Sequence, residues 1–112
     1  MKKGISETEF NITEKQFLSQ VIDLLRMFNW KFEHTFEQGV YAKRTSKGFP
    51  DIVAVRNGLC LFIELKSEKG RLTPSQEEWM NELYKIAEHS LGVMAFVWRP
   101  SQLETEILEV LR

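Results

Sequence analysis

"KGFPDIVAVRNGLCLFIELKSEKG", residues 47–70, sets Asp51, Glu64 and Lys66 into a ribbon otherwise built largely from Ile, Val, Leu and Phe. Asn57-Gly58 between the two apolar runs is the sequence of a tight type I′ hairpin turn, whose two central residues need positive φ. With those residues at the turn, cross-strand partners carry numbers summing to 115. Arg56 then faces Leu59, Val55 faces Cys60, and Asp51 falls opposite Glu64. The Cβ atoms of such partners lie about 4.5–5.5 Å apart. Lys66, two residues beyond Glu64, projects from the same face. Two strands, over about 51–55 and 60–66, are thus expected to gather two carboxylates and one ammonium at one end. A one-residue slip would scatter them.

The opposite face carries Ile52, Ala54, Leu61, Ile63 and Leu65, while Val53, Val55, Cys60 and Phe62 share the face of the acids. Two mostly apolar faces predict central strands covered on both sides. Facing carboxylates repel, and burial raises the cost. A hard divalent cation, which takes carboxylate, water and phosphate oxygens, removes that repulsion. Lys66 cannot ligate such an ion, but it can orient water or stabilise charge developing on a phosphate. A plain ion pair of Lys66 at a solvent edge leaves the opposed acids unexplained.

Outward from the hairpin, Thr13-Glu14-Lys15-Gln16 reads as a capping box opening a helix to about Phe28,. Phe17, Val21, Leu24, Leu25 and Phe28 form its buried stripe. Trp30, Phe32, His34 and Phe36 alternate with Lys31, Glu33 and Thr35, as in a half-buried strand. Residues 38–50 read as a loop or ragged strand. Thr73-Pro74-Ser75-Gln76 is a second capping box with proline at the first helical position. Its helix is expected to reach about His89, where a histidine suits the helix C-terminus, and to bury Trp79, Leu83 and Ile86. "VMAFVW", 93–98, suits a buried strand that Arg99-Pro100 breaks, and Ser101 with Glu104 is expected to cap a last helix. The order is α-β-β-β-α-β-α, an α/β (α+β) class.

The 112 residues fit one domain over 1–112, with a polar start over 1–10 that is expected to fray,. At 43% apolar and 12% aromatic, the chain can build a core,. Lys and Arg number 15 against 16 acids, so no basic surplus advertises nucleic-acid binding, and only local clusters could supply it,. The single Cys60 excludes an internal disulfide and a cysteine-only zinc site,. No apolar run approaches the roughly 18 residues of a membrane helix, and the polar start does not read as a signal peptide. An intracellular, cytoplasmic location is expected.

"FPD" followed by "ELK" across a hairpin resembles the PD-(D/E)XK nuclease motif. The lead-in Lys47-Gly48-Phe49-Pro50-Asp51 and the follow-on Gly70-Arg71-Leu72-Thr73-Pro74-Ser75-Gln76 narrow the resemblance to the VRR-NUC family, in particular its short stand-alone members from bacteriophages. It covers roughly residues 12–111. It implies a restriction-endonuclease-like α-β-β-β-α-β core, with a mixed central sheet flanked by helices and a C-terminal helix.

By this resemblance Asp51 and Glu64 are metal ligands, Lys66 is the catalytic lysine, and the Leu65 carbonyl is a further oxygen ligand. The family's N-terminal helix acid is matched by Glu14, which shares the buried stripe with Phe17, Leu18 and Val21; Glu7 and Glu9 are rivals. Gln76 matches the glutamine after the lysine strand, and is either a site residue or a helix cap. His34 is either a core histidine or a catalytic one. Lys43, Arg44 and Lys47 before the acids, and Lys69 and Arg71 after the lysine, are expected to contact DNA phosphates. Tyr41 and Phe49 either stack on bases or pack in the core.

The implied activity is a Mg²⁺- or Mn²⁺-dependent endonuclease resembling Holliday-junction resolvases, acting on four-way DNA as a homodimer. Flap-, fork- or restriction-type cleavage are the alternatives, as is a catalytically idle module that binds DNA or a protein.

Overall fold

In the computed structural model, residues 10–35 and 46–112 are described. Helix α1 spans Glu14–Met27, and strand β1 spans Lys31–His34. The hairpin strands are β2, Ile52–Arg56, and β3, Leu59–Leu65. Helix α2, Pro74–Glu88, leads to strand β4, Val93–Trp98. A short irregular helix then runs through a 3-10 turn at Pro100–Gln102, a π turn at Leu103–Ile107 and α3 at Leu108–Leu111. The mixed sheet has the order β1-β2-β3-β4; β3 and β4 run parallel, and the other pairs are antiparallel. This is the restriction-endonuclease-like core expected above.

Both capping boxes form. The Thr13 and Thr73 side chains accept from the N–H groups of Gln16 and Gln76, whose own side chains bond back to the threonine N–H groups. The turn is as expected, with φ of 49° at Asn57 and 80° at Gly58. The β2–β3 register runs from Arg56↔Leu59 to Ile52↔Ile63, each pair summing to 115. The strands start and stop one residue differently from the expectation, which leaves Asp51 just outside β2 and Lys66 just beyond β3.

The sheet is not covered equally. Ile52, Ala54, Leu61, Ile63 and Leu65 are fully buried with Phe17, Val21 and Leu25 of α1 and with Ile107 and Leu111. On the other face Glu64 is buried, Val53, Cys60 and Phe62 are half-buried and Val55 is exposed, so that face is covered only in part. Helix α2 lies on that second face with Gln76, Met80 and Leu83 buried. Trp79 is half-buried and Ile86 is exposed, so of the three residues expected inside only Leu83 is buried, and Met80 joins it. The contacts of Gln76 with β3 and of Trp79 with the lead-in loop, described below, set this rotation.

The last helix also departs from the expectation. Its cap is Arg99, whose N–H is held by the Gln102 side chain at 2.8 Å, whereas the Ser101 N–H donates to Glu68. At the far end of the sheet Arg56 binds the carbonyls of Phe28, Leu111 and Arg112 and lies 4.3 Å over the Trp30 ring. That arginine fastens the end of α1 to the C-terminal helix. Among the described residues no helix is long and apolar enough to cross a membrane.

Candidate active site

The site forms where the hairpin ladder ends. Thr35 donates its N–H to the Asp51 carbonyl at 2.8 Å, which carries the β1–β2 ladder one step past its last strand pair. The Asp51 side chain turns inward, and its Oδ2 accepts the Leu65 N–H at 2.7 Å. A carboxylate thus closes the β2–β3 ladder where Pro50, with no N–H, cannot extend it. Asp51 and Glu64, whose numbers also sum to 115, stand one step beyond the last strand pair, Ile52↔Ile63.

Glu64 is 1% exposed, Lys66 6% and Gln76 7%. Among the described residues these are the buried polar or charged side chains, and all three stand at this end of the sheet. Gln76 performs two tasks: its Oε1 accepts the Thr73 N–H in the capping box, and its Nε2 donates to Glu64 Oε2 at 3.1 Å. The two readings open for this residue are therefore both realised in its geometry. Glu at the same cap position makes an equally good box, but it would set a carboxylate against Glu64. Gln76→Glu is expected to cost about 1–3 kcal/mol, while Gln16→Glu in the first box is close to neutral. Thermal melts at pH 7 check this, and equal shifts would show that the Glu64 contact contributes nothing.

Lys66 anchors its main chain on β4, donating its N–H to the Trp98 carbonyl at 3.0 Å. Its Nζ lies 3.9 Å from Glu14 Oε2, the lysine side chain 8% exposed and the glutamate 49%. Helix α1 therefore brings Glu14 to the lysine, on the first turn where the helix dipole favours an acid,. At that distance and exposure the attraction is weak. Glu7 and Glu9, its rivals, lie outside the described residues, as do Phe36, Tyr41, Lys43 and Arg44.

Gly48, in the lead-in, has φ of +86°, and a Cβ there would sit 2.4 Å from the Ser75 carbonyl carbon. The loop thus rides directly on the first turn of α2, where Phe49 meets Trp79 edge-to-face at 4.9 Å between ring centroids. Gly48→Ala is expected to cost about 1–3 kcal/mol through backbone strain and clash and to displace Asp51. Urea denaturation measures it, and an unchanged midpoint would mean that the contact relaxes freely. Lys47 is exposed and lines a groove of about 280 Å³ with Ser75, Glu78, Trp79 and Glu82, so two acids stand near this cation. Lys69 and Arg71 are exposed on the stretch that follows Lys66.

His34 is half-buried at the end of β1, and His89 caps the C-terminus of α2. Burial pushes the pKa of the Cys60 thiol above its ordinary value,. Sequence reasoning missed Arg99. Its Nη1 donates to the carbonyls of Ser67 at 2.7 Å, Glu68 at 3.3 Å and Gly70 at 2.7 Å, and holds the turn that follows Lys66. No motif announces a side chain that binds main-chain atoms some thirty residues earlier.

Among the described residues no three His, Cys, Asp or Glu side chains converge on one point. The donors that the hairpin end offers are carboxylates and main-chain carbonyls. Such hard oxygen donors suit Mg²⁺ or Mn²⁺ and not soft metals.

A search of curated proteins finds no match. The model of the VRR-NUC domain matches residues 24–99, which include the hairpin, α2 and β4. With two thirds of its length matched and the hairpin register and α-β-β-β-α-β order in place, the chain belongs to the VRR-NUC family of nuclease domains.

Proposed function

We propose that this chain is a metal-dependent endodeoxyribonuclease that cuts branched DNA, with the four-way junction as its preferred substrate, and that it acts as a homodimer. The observation that carries this reading is the gathering of Glu64, Lys66 and Gln76, the buried polar side chains of the described chain, beside Asp51 at one end of the sheet. A small core tolerates buried charge only where it is paired or used.

Asp51, Glu64 and the Leu65 carbonyl would hold Mg²⁺ or Mn²⁺, with Glu14 as a further donor from α1. Such an ion supplies an acidified water and a counter-charge for a phosphate. Gln76 holds the Glu64 carboxylate in place through its Nε2. Lys66 orients the attacking water or neutralises charge developing on the scissile phosphate. Lys43, Arg44, Lys47, Lys69 and Arg71 bind backbone phosphates around the site and position the strand without reading its bases.

A nuclease-type domain of this size suits recognition of DNA shape. Two symmetric nicks in a junction call for two sites related by a two-fold axis. The test is a gel comparing four-way, flap, fork and linear duplex substrates, with a sedimentation run on the same preparation. Junction cleavage by a dimer is expected; equal cutting of every substrate by a monomer would sink the substrate assignment.

A further inference from the structure

We infer that Arg99 is a positioning residue for DNA binding: by gathering the carbonyls of Ser67, Glu68 and Gly70 it fixes the turn that aims Lys69 and Arg71 at the DNA backbone and walls the Lys66 site. This rests on the nuclease reading above. The turn directly follows the buried Lys66, and only Arg71 and Leu72 separate it from the capping box of α2. Three main-chain carbonyls turned toward one point repel one another, and the Arg99 guanidinium removes that repulsion with charge-assisted hydrogen bonds,.

Three further contacts tie the same segment down. Lys66 donates its N–H to the Trp98 carbonyl, the residue before Arg99, and Glu68 accepts the Ser101 N–H at 2.9 Å. Gly70 closes the turn through its N–H to the Ser67 carbonyl, and a Cβ on Gly70 would lie 3.6 Å from Glu14 Oε2. The turn is therefore a wall of the Glu14–Lys66 pair. Over residues 67–71, whose carbonyls are drawn toward Arg99, Lys69 and Arg71 are the exposed residues. Arg99 itself is half-buried. It acts through the turn and does not touch the substrate.

The experiment uses the full chain in five forms: wild type, Arg99→Met, Arg99→Lys, the Lys69→Ala/Arg71→Ala double variant, and the triple variant that adds Arg99→Met to it. Binding to a labelled four-way junction is followed by anisotropy in Ca²⁺ across a salt series, and cleavage in Mn²⁺ is timed on the same preparations. Arg99→Met is expected to weaken binding about tenfold and to lower the salt slope by about two, at roughly 0.9 per lost phosphate contact. In the double-variant background it is expected to change neither. All three bonds leave the single Nη1, and a lysine Nζ stands one bond nearer its backbone, so Arg99→Lys is expected to recover only part of the loss. Hydrogen exchange is expected to speed up across residues 67–71 in Arg99→Met and nowhere else. An Arg99→Met protein with the wild-type salt slope, or one that weakens binding equally in both backgrounds, overturns the positioning role while wild-type cleavage leaves the nuclease reading standing. A wild-type chain that neither binds nor cuts the junction overturns that reading and this inference with it.

Discussion

Lys66→Ala is expected to lower DNA cleavage by about 10³-fold, the scale of losing one preorganised electrostatic group, while DNA affinity changes by only a few-fold. Lys66 is buried beside Glu14, at the end of a strand whose main chain is fixed on Trp98, so its ammonium has little freedom and little solvent. Charge placed in such a setting acts more strongly on a reacting phosphate than the same charge on the surface. Its loss leaves Glu14 half exposed to water, not buried and uncompensated, so the fold persists. Lys66→Arg is not expected to restore the rate, because a guanidinium does not fit the place of a compact ammonium. Single-turnover cleavage with saturating protein separates rate from binding. A variant that cuts at the wild-type rate removes Lys66 from the chemistry.

Trp98→Ala is expected to cost about 3–5 kcal/mol, a large share of the roughly 5–15 kcal/mol that holds a small domain folded. Trp98 is fully buried, stacks on Phe96 with centroids 4.8 Å apart, and is the register partner of Leu65. The Tm is expected to fall by on the order of 20 °C. The indole N–H is buried without an acceptor among the described residues. Trp98→Phe removes that desolvated donor and so is expected to cost less than half as much. Equal losses for the two variants would show that the N–H carries no penalty.

The hairpin was the most legible part of this molecule because its information is local. Asn57-Gly58 specifies one turn, the turn specifies one register, and the register delivers Asp51 and Glu64 to adjacent ends of two strands. The capping boxes at Thr13 and Thr73 were legible for the same reason. What failed depended on tertiary contacts. Helix periodicity proposed Trp79, Leu83 and Ile86 as the buried face, but Gln76 reaching Glu64 and Trp79 meeting Phe49 turn the helix so that Met80 goes inside. Ser101 has the right chemistry for a cap, yet Arg99 and Gln102 form it two residues earlier.

The candidate site divides along the same line. Asp51, Glu64 and Lys66 follow from the register, whereas the dual role of Gln76 appears only once α2 is seen against β3. Arg99 and Arg56 were invisible because each binds main-chain carbonyls, which every residue offers and no sequence pattern marks. Lys43 and Arg44, expected to contact DNA, lie outside the described residues.

The metal-dependent centre is tested most directly by cleavage of a labelled four-way junction with the purified wild-type chain, with Mg²⁺ or Mn²⁺ in one arm and EDTA in the other. Discrete nicked products are expected with either ion, none in EDTA, and recovery when the ion is restored in excess. Intact DNA in every arm, or the same products in EDTA, would contradict a metal-dependent hydrolytic centre at the end of the Asp51–Glu64 hairpin.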